Sequence, residues 1–198
     1  MIAIVDYSAG NIRSVTNALS RLGAEWRLTS DPSLLRSADR VILPGVGHAG
    51  KALESLRSAG LDGVIADLRR PVLGICVGMQ VMCRSTEEGD ASGLGIFDAH
   101  IRRFQPSSPA DKVPHMGWNT IHNLEKGIFK DIPSGSHVYF VHSYFAHLCP
   151  DTIATTRFGE SGEMFSAALK YENFYGTQFH PEKSGSVGER ILSNFLNL

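Results

Sequence analysis

The run Pro71-Val72-Leu73-Gly74-Ile75-Cys76-Val77-Gly78-Met79-Gln80-Val81-Met82 constrains this chain most tightly. An apolar segment of strand length passes through a glycine-flanked cysteine directly into a second apolar segment, with no loop between them. Ile2-Ala3-Ile4-Val5 and Val41-Ile42-Leu43 are similar apolar runs. Short, wholly apolar runs read as strands buried on both faces. Residues at helical spacing lie between them. Ile12, Val15, Leu19 and Leu22 form one set, with Asn11 placed to cap its start and Gly23 to end it. Trp26 and Leu28 fit a second strand, and Asp31-Pro32 opens another helix. Leu53 and Leu56, then Val64, Ile65 and Leu68, fall on further helical stretches. Strands alternating with helices imply an α/β fold: a flavodoxin-like open, mostly parallel sheet with helices on both faces.

The second half changes character. IRRF, WNTI, HVYFVHSYF, TIATTRF, SAALKYE and YGTQF are strand-like and separated by turn residues, which predicts an antiparallel extension of the sheet. QPSSPA, residues 105–110, reads as a surface loop. A final helix is expected, with Ser186 and Glu189 at capping-box spacing and Val187, Ile191 and Phe195 on its apolar face. No composition break divides the chain, so residues 1–198 are expected to form a single domain.

A net charge of -1 gives no general attraction to nucleic acid or to an anionic membrane. Three cysteines without regular spacing argue against a disulfide framework and fit a reducing compartment. The opening MIAIVDY has no basic stretch before its apolar run, which is too short for a signal peptide or a membrane span. A soluble, cytoplasmic protein is expected.

Gly74-Ile75-Cys76-Val77-Gly78 has the glycine spacing of a nucleophile elbow, with sulfur in place of oxygen. A strand that turns sharply into a helix forces its turn residue into a strained conformation. Glycines two residues to either side let neighbouring backbone pass close by. The helix N-terminus then favours thiolate, and the Val77 N–H is placed for a developing oxyanion. Alone, Cys76 would also fit a small core residue; the glycines and the strand-to-helix context favour a nucleophile. Cys83, about two helical turns on, and Cys149, before Pro150, have no such context and read as structural.

Phe179-His180-Pro181-Glu182 supplies a base with an orienting acid. A residue before proline is biased to extended geometry, in which i and i+2 share a side, so Glu182 can hold the His180 imidazole in one tautomer. Parallel-sheet enzymes place their chemistry at the carboxyl ends of strands, where these two segments would converge. Pro44-Gly45-Val46-Gly47 follows another strand and offers a second oxyanion donor at Val46 or Gly47. The remaining histidines form no metal-binding spacing, so neither metal nor cofactor is expected.

GICVGMQ followed by FHPE resembles the class I, triad-type glutamine amidotransferases. DYSAGNIRSV, PGVG, KVPHMGWN, YFVHSY and YGTQFHPEKS are similar, more narrowly, to the glutaminase subunits of imidazole glycerol phosphate synthases. The resemblance runs from Asp6 to the final helix. It departs at Ser8, where glycine is frequent, and at His48, where a smaller residue is common. It implies Cys76 as nucleophile, His180 as acid and base, and Glu182 as orienter. It implies glutamine contacts from Gly45, Val46, Gly47, Gln80, Ser143 and Tyr144, with Val77 donating to the oxyanion. It also implies a partner-facing surface with Asn11, Trp118, Tyr139 and Lys183. The partner would be a (β/α)8-barrel cyclase that receives ammonia in a step of histidine biosynthesis. Another amidotransferase subunit, a cysteine peptidase on the same elbow, and a silent binding module are the competing readings.

Overall fold

A computed structural model describes residues 1–7, 12–106, 108, 111–159 and 162–198. Asn11 and Ser8 lie outside the described residues, as do residues 107, 109 and 110 of the 105–110 loop.

Seven strands form the main sheet. Five are parallel: β1 (Ile2–Val5), β2 (Trp26–Thr29), β3 (Arg40–Leu43), β4 (Val72–Ile75) and β13 (Phe174–Thr177). β12 (Met164–Tyr171) and β11 (Thr152–Arg157) extend the sheet antiparallel beyond β13, giving the order β11-β12-β13-β4-β3-β1-β2. The parallel part has the flavodoxin-like order. β1, β4 and β13 are buried at every residue, as strands covered on both faces must be, whereas edge strand β2 is largely exposed.

Right-handed crossovers in opposite directions from β1 place the helices on both faces. α1 (Ile12–Arg21) and α6 (Gly185–Leu196) share one face, joined by Arg21 and Glu189 at 2.9 Å. α2 (Pro32–Ser37), α3 (Ala49–Ser58), α4 (Asp62–Ala66) and α5 (Val77–Met82) pack together on the other. The expected turn chemistry holds at two ends. Gly23 has φ +68° just beyond α1, and Asp31 accepts from the Ser33 N–H at 2.8 Å, capping α2.

Three local expectations are corrected. α5 is too short to carry Cys83 on its second turn, and Cys83 instead begins β5 (Cys83–Thr86). Ser186 does not cap α6: Ser184 holds that position, its hydroxyl donates to His180 O at 2.6 Å, and Glu189 is engaged by Arg21. The second-half strands also do not all join the main sheet. β5, β6 (Ala91–Ser92), β7 (Phe97–Arg103) and β10 (Tyr144–Ala146) form a second sheet, and β8 (His115–Ile121) pairs with β9 (Ser136–His142) as a separate ribbon. An alternating pattern specifies a strand and its buried face, but not its neighbour. The space between these layers is filled by Phe104, Phe140, Phe145, Phe158 and Phe165, with Phe104 stacked on Phe158 at 4.2 Å.

Candidate active site

Cys76 lies between β4 and α5 at φ 54°, ψ -110°, a conformation that side-chain-bearing residues rarely adopt. Its N–H donates to Thr177 O at 2.7 Å, and its carbonyl accepts from the N–H groups of Met79 and Gln80. Strand pairing on one side and helix on the other thus hold the turn. A Cβ on Gly78 would run into the Leu43 carbonyl oxygen, and one on Gly74 into the Gly78 carbonyl and the end of Met82. Gly45 is crowded against the Gly78 nitrogen in the same way. These contacts seat the loop after β3 directly on the elbow. Tyr7 donates to Pro44 O at 2.6 Å and pins that loop from below; burial pushes the Tyr7 hydroxyl pKa up and keeps it a neutral donor.

His180 follows β13. It has extended geometry, but Glu182 sits in a single 3-10 turn, Pro181–Lys183, rather than in continued strand. The turn brings the two together all the same: Nδ1 lies 2.8 Å from Glu182 Oε1. Nδ1 therefore carries a proton, and Nε2 is turned to the sulfur side. Nε2 makes no hydrogen bond and is shut off from water, as is Glu182 Oε2. Burial opposes charge on His180, but Cys76 and Glu182 outweigh it and push its pKa up to about 9. Cys76 and His180 both line the same cleft.

The elbow, the loop and His180 converge on a cleft of about 470 Å³. Val46, Gly47, Cys76, Val77, Gln80, Ser143, Tyr144, His180 and Lys183 all line it. Gly45 lies behind its wall, packed on the elbow. Gln80 already directs its amide nitrogen to Tyr144 O and Gln178 Oε1, each at 3.0 Å.

Glu88 also lines the cleft and was not singled out from sequence. Its Oε2 accepts from the Ala49 N–H at 2.6 Å, which ties it to the first residue of α3. His48 caps the same helix, accepting from the Lys51 N–H at 3.4 Å, so its bulk lies over Gly50 and Gly89 rather than in the loop's glycine pair. Nothing in the local sequence marks Glu88, because the chain turn after β5 is what carries it there.

The β8–β9 ribbon borders the same segment. The His180 N–H donates to Tyr139 O, and Ser184 Oγ accepts from the Tyr139 N–H. On its outer side Trp118 is 58% exposed and Met116 67%, next to Tyr139, whose ring meets Trp118 edge-on at 6.0 Å and carries Lys183 Nζ at 5.9 Å. Trp118, Tyr139 and Lys183 thus form one patch.

Cys83 and Cys149 are held as neutral thiols by burial. Among the described residues no group of three histidines, cysteines or carboxylates could hold a metal ion, and no helix is long and apolar enough to cross a membrane.

The chain matches the family described as glutamine amidotransferase class-I over residues 3–198. It is 53% identical to imidazole glycerol phosphate synthase subunit HisH of Bacteroides thetaiotaomicron, covering 100% of this chain and 99% of that one. To the subunit of the same name from Archaeoglobus fulgidus it is 45% identical, covering 100% and 98%. Its fold is shared with a crystal structure of a glutamine amidotransferase at a TM-score of 0.74 and 18% identity, covering 100% of this chain and 98% of that one. The chain belongs to the class-I glutamine amidotransferase family, and it is an enzyme of that class.

Proposed function

We propose that this chain, as one amidotransferase domain, is the glutaminase subunit of an imidazole glycerol phosphate synthase. The observation that carries the reading is the convergence of a strained cysteine elbow and a buried His–Glu pair on one cleft, in a chain so close to the HisH subunits.

In this reading glutamine lies in the cleft with its side-chain amide at Cys76. Glu88 lines the cleft, and its carboxylate receives the substrate ammonium. The Cys76 thiolate attacks the amide carbon. The resulting oxyanion is met by the Val77 N–H and the Val46–Gly47 loop, each such donor contributing ~3 kcal/mol at the transition state. His180 gives its Nε2 proton to the departing nitrogen, ammonia leaves, and a glutamyl thioester remains. Water then loses a proton to Nε2 as it attacks the thioester, and the sulfur departs as thiolate with glutamate released. Glu182 holds Nδ1 throughout.

Free ammonia is readily protonated in water, so delivery to a second site favours a bound partner. The exposed Trp118–Tyr139–Lys183 patch supports such docking, since aromatic side chains dominate interface energetics. The partner is a (β/α)8-barrel cyclase, the step belongs to histidine biosynthesis, and the setting is the cytoplasm. Neither nucleic acid, membrane nor cofactor takes part.

Glutamate release from glutamine, by the chain alone and with a cyclase subunit plus its nucleotide ligand, tests this. Stimulation by the liganded partner, abolished by Cys76→Ala, is expected. Equal rates with and without the partner would contradict the subunit assignment.

A further inference from the structure

Gln178 lies two residues before His180, is wholly buried, and is not part of the cleft wall. Its orientation follows from a backbone carbonyl. Tyr144 O can only accept, so Gln80 Nε2, 3.0 Å away, is the nitrogen end of that amide. The same nitrogen lies 3.0 Å from Gln178 Oε1 and directs its second hydrogen there. Gln178 Nε2 is therefore turned to Cys76 Sγ, at 3.7 Å.

The far side of the Tyr144 carbonyl is held as firmly. His142 Nδ1–H donates to it at 2.7 Å, which leaves His142 Nε2 to accept from His115 Nδ1 at 3.0 Å. His115 Nε2 in turn accepts from Asn119 Nδ2 at 3.2 Å. One assignment of donors and acceptors satisfies the whole chain, and it ends with an N–H on the nucleophilic sulfur.

We propose that Gln178 is a further catalytic residue, donating a hydrogen bond to the Cys76 sulfur and stabilising its thiolate, with Gln80 and His142 as positioning residues for that amide. The chemistry can use such a donor twice, when the thiolate attacks the amide and again when the sulfur departs as thiolate from the thioester. A neutral amide does not titrate, so it stays in place beside the sulfur while the His180 proton leaves and returns. The proposal rests on Cys76 being the nucleophile.

The test is alkylation of Cys76 by iodoacetamide in the full chain, followed on the Cys76 peptide by mass spectrometry. Gln178→Met keeps the length and removes the donor. At neutral pH it should slow alkylation about tenfold, while at about pH 10, above the ordinary range of a free thiol, the rates should converge. The kcat for glutamine should fall about tenfold with KM changed less than about twofold. Gln178→Glu fills the same volume and should slow neutral-pH alkylation further, because a carboxylate repels thiolate; it carries the test should Gln178→Met fail to fold. In the unaltered chain, the Gln178 side-chain amide proton resonances should move when Cys76 is alkylated. Wild-type alkylation rates in a folded variant, a slowing that persists at high pH, or amide resonances indifferent to alkylation would each overturn the proposal. Alkylation needs no glutamine, so its outcome is separate from that of the glutaminase reading, which glutamate release decides.

Discussion

His180 Nδ1 lies 2.8 Å from Glu182 Oε1, with both side chains 2% exposed. The separation is set by a single 3-10 turn, so the pair is assembled by local backbone and then sealed by the β8–β9 ribbon and Ser184. A histidine so placed is fixed in tautomer and poised to carry charge.

Replacing Glu182 with Gln keeps the shape but removes the charge that holds the imidazolium. Glutamate release should fall by roughly 10²- to 10⁴-fold, mainly in kcat. The same pair makes stability depend on pH. His180 titrates at about 9 in the folded chain, against the ordinary value near ~6.5 when unfolded. Its contribution is therefore fully present below about 6.5 and is lost as pH rises through about 9. The unfolding midpoint should decline over that window, and Glu182→Gln should flatten the decline. A pH-independent midpoint across the window in the unaltered chain would contradict the ion pair.

His115 and His142 behave in the opposite sense. Burial pushes their pKa values down to about 4 and about 3, and each makes hydrogen bonds in its neutral form. The unfolded chain binds protons at these sites below about pH 6.5 and the folded chain does not, so stability falls as pH drops from there through the folded values. Urea titrations at a series of acidic pH values should show a slope reaching roughly two protons, reduced in His115→Gln.

Close backbone approach at the elbow gives a sharp contrast between two glycines. Gly78→Ala would place a methyl group against the Leu43 carbonyl, so it should cost more than ~4 kcal/mol or prevent folding. Gly23→Ala meets no neighbouring atom and carries only the strain of φ +68°, about 1 kcal/mol. Thermal unfolding of the two variants should rank them in that order by a wide margin.

Trp118 is more than half exposed, so Trp118→Ala should leave the unfolding midpoint of the isolated chain nearly unchanged. Titration with the cyclase subunit should instead show affinity weakened by about 2 kcal/mol, roughly thirtyfold. Unchanged affinity would remove Trp118 as an anchor.

The features legible in the sequence are those that local backbone demands. The apolar runs and the glycines around Cys76 each state a short-range geometry that appears where expected, and the His-Pro-Glu step brings its pair together through a 3-10 turn rather than an extended segment. What depends on distant partners was not legible. Glu88 reaches the site through the turn after β5, whose neighbourhood does not look unusual by itself, and Gln178 lies within the His180 segment, where only its fold partners reveal a role. The division of the second-half strands into separate sheets is likewise decided by packing among phenylalanines far apart in the chain. At α6 the spacing of Ser186 and Glu189 misled, because Arg21 from another helix competes for the glutamate.

The central claim, a glutamyl thioester on Cys76, is tested most directly by mass spectrometry of the chain after reaction with a glutamine analogue bearing an electrophile at the amide carbon. Cys83 and Cys149 serve as internal controls. Modification of Cys76 alone, competed by glutamine and slowed by His180→Ala, is the expected result. Continued glutamine hydrolysis with Cys76 unmodified, or with Cys76→Ala, would contradict the account.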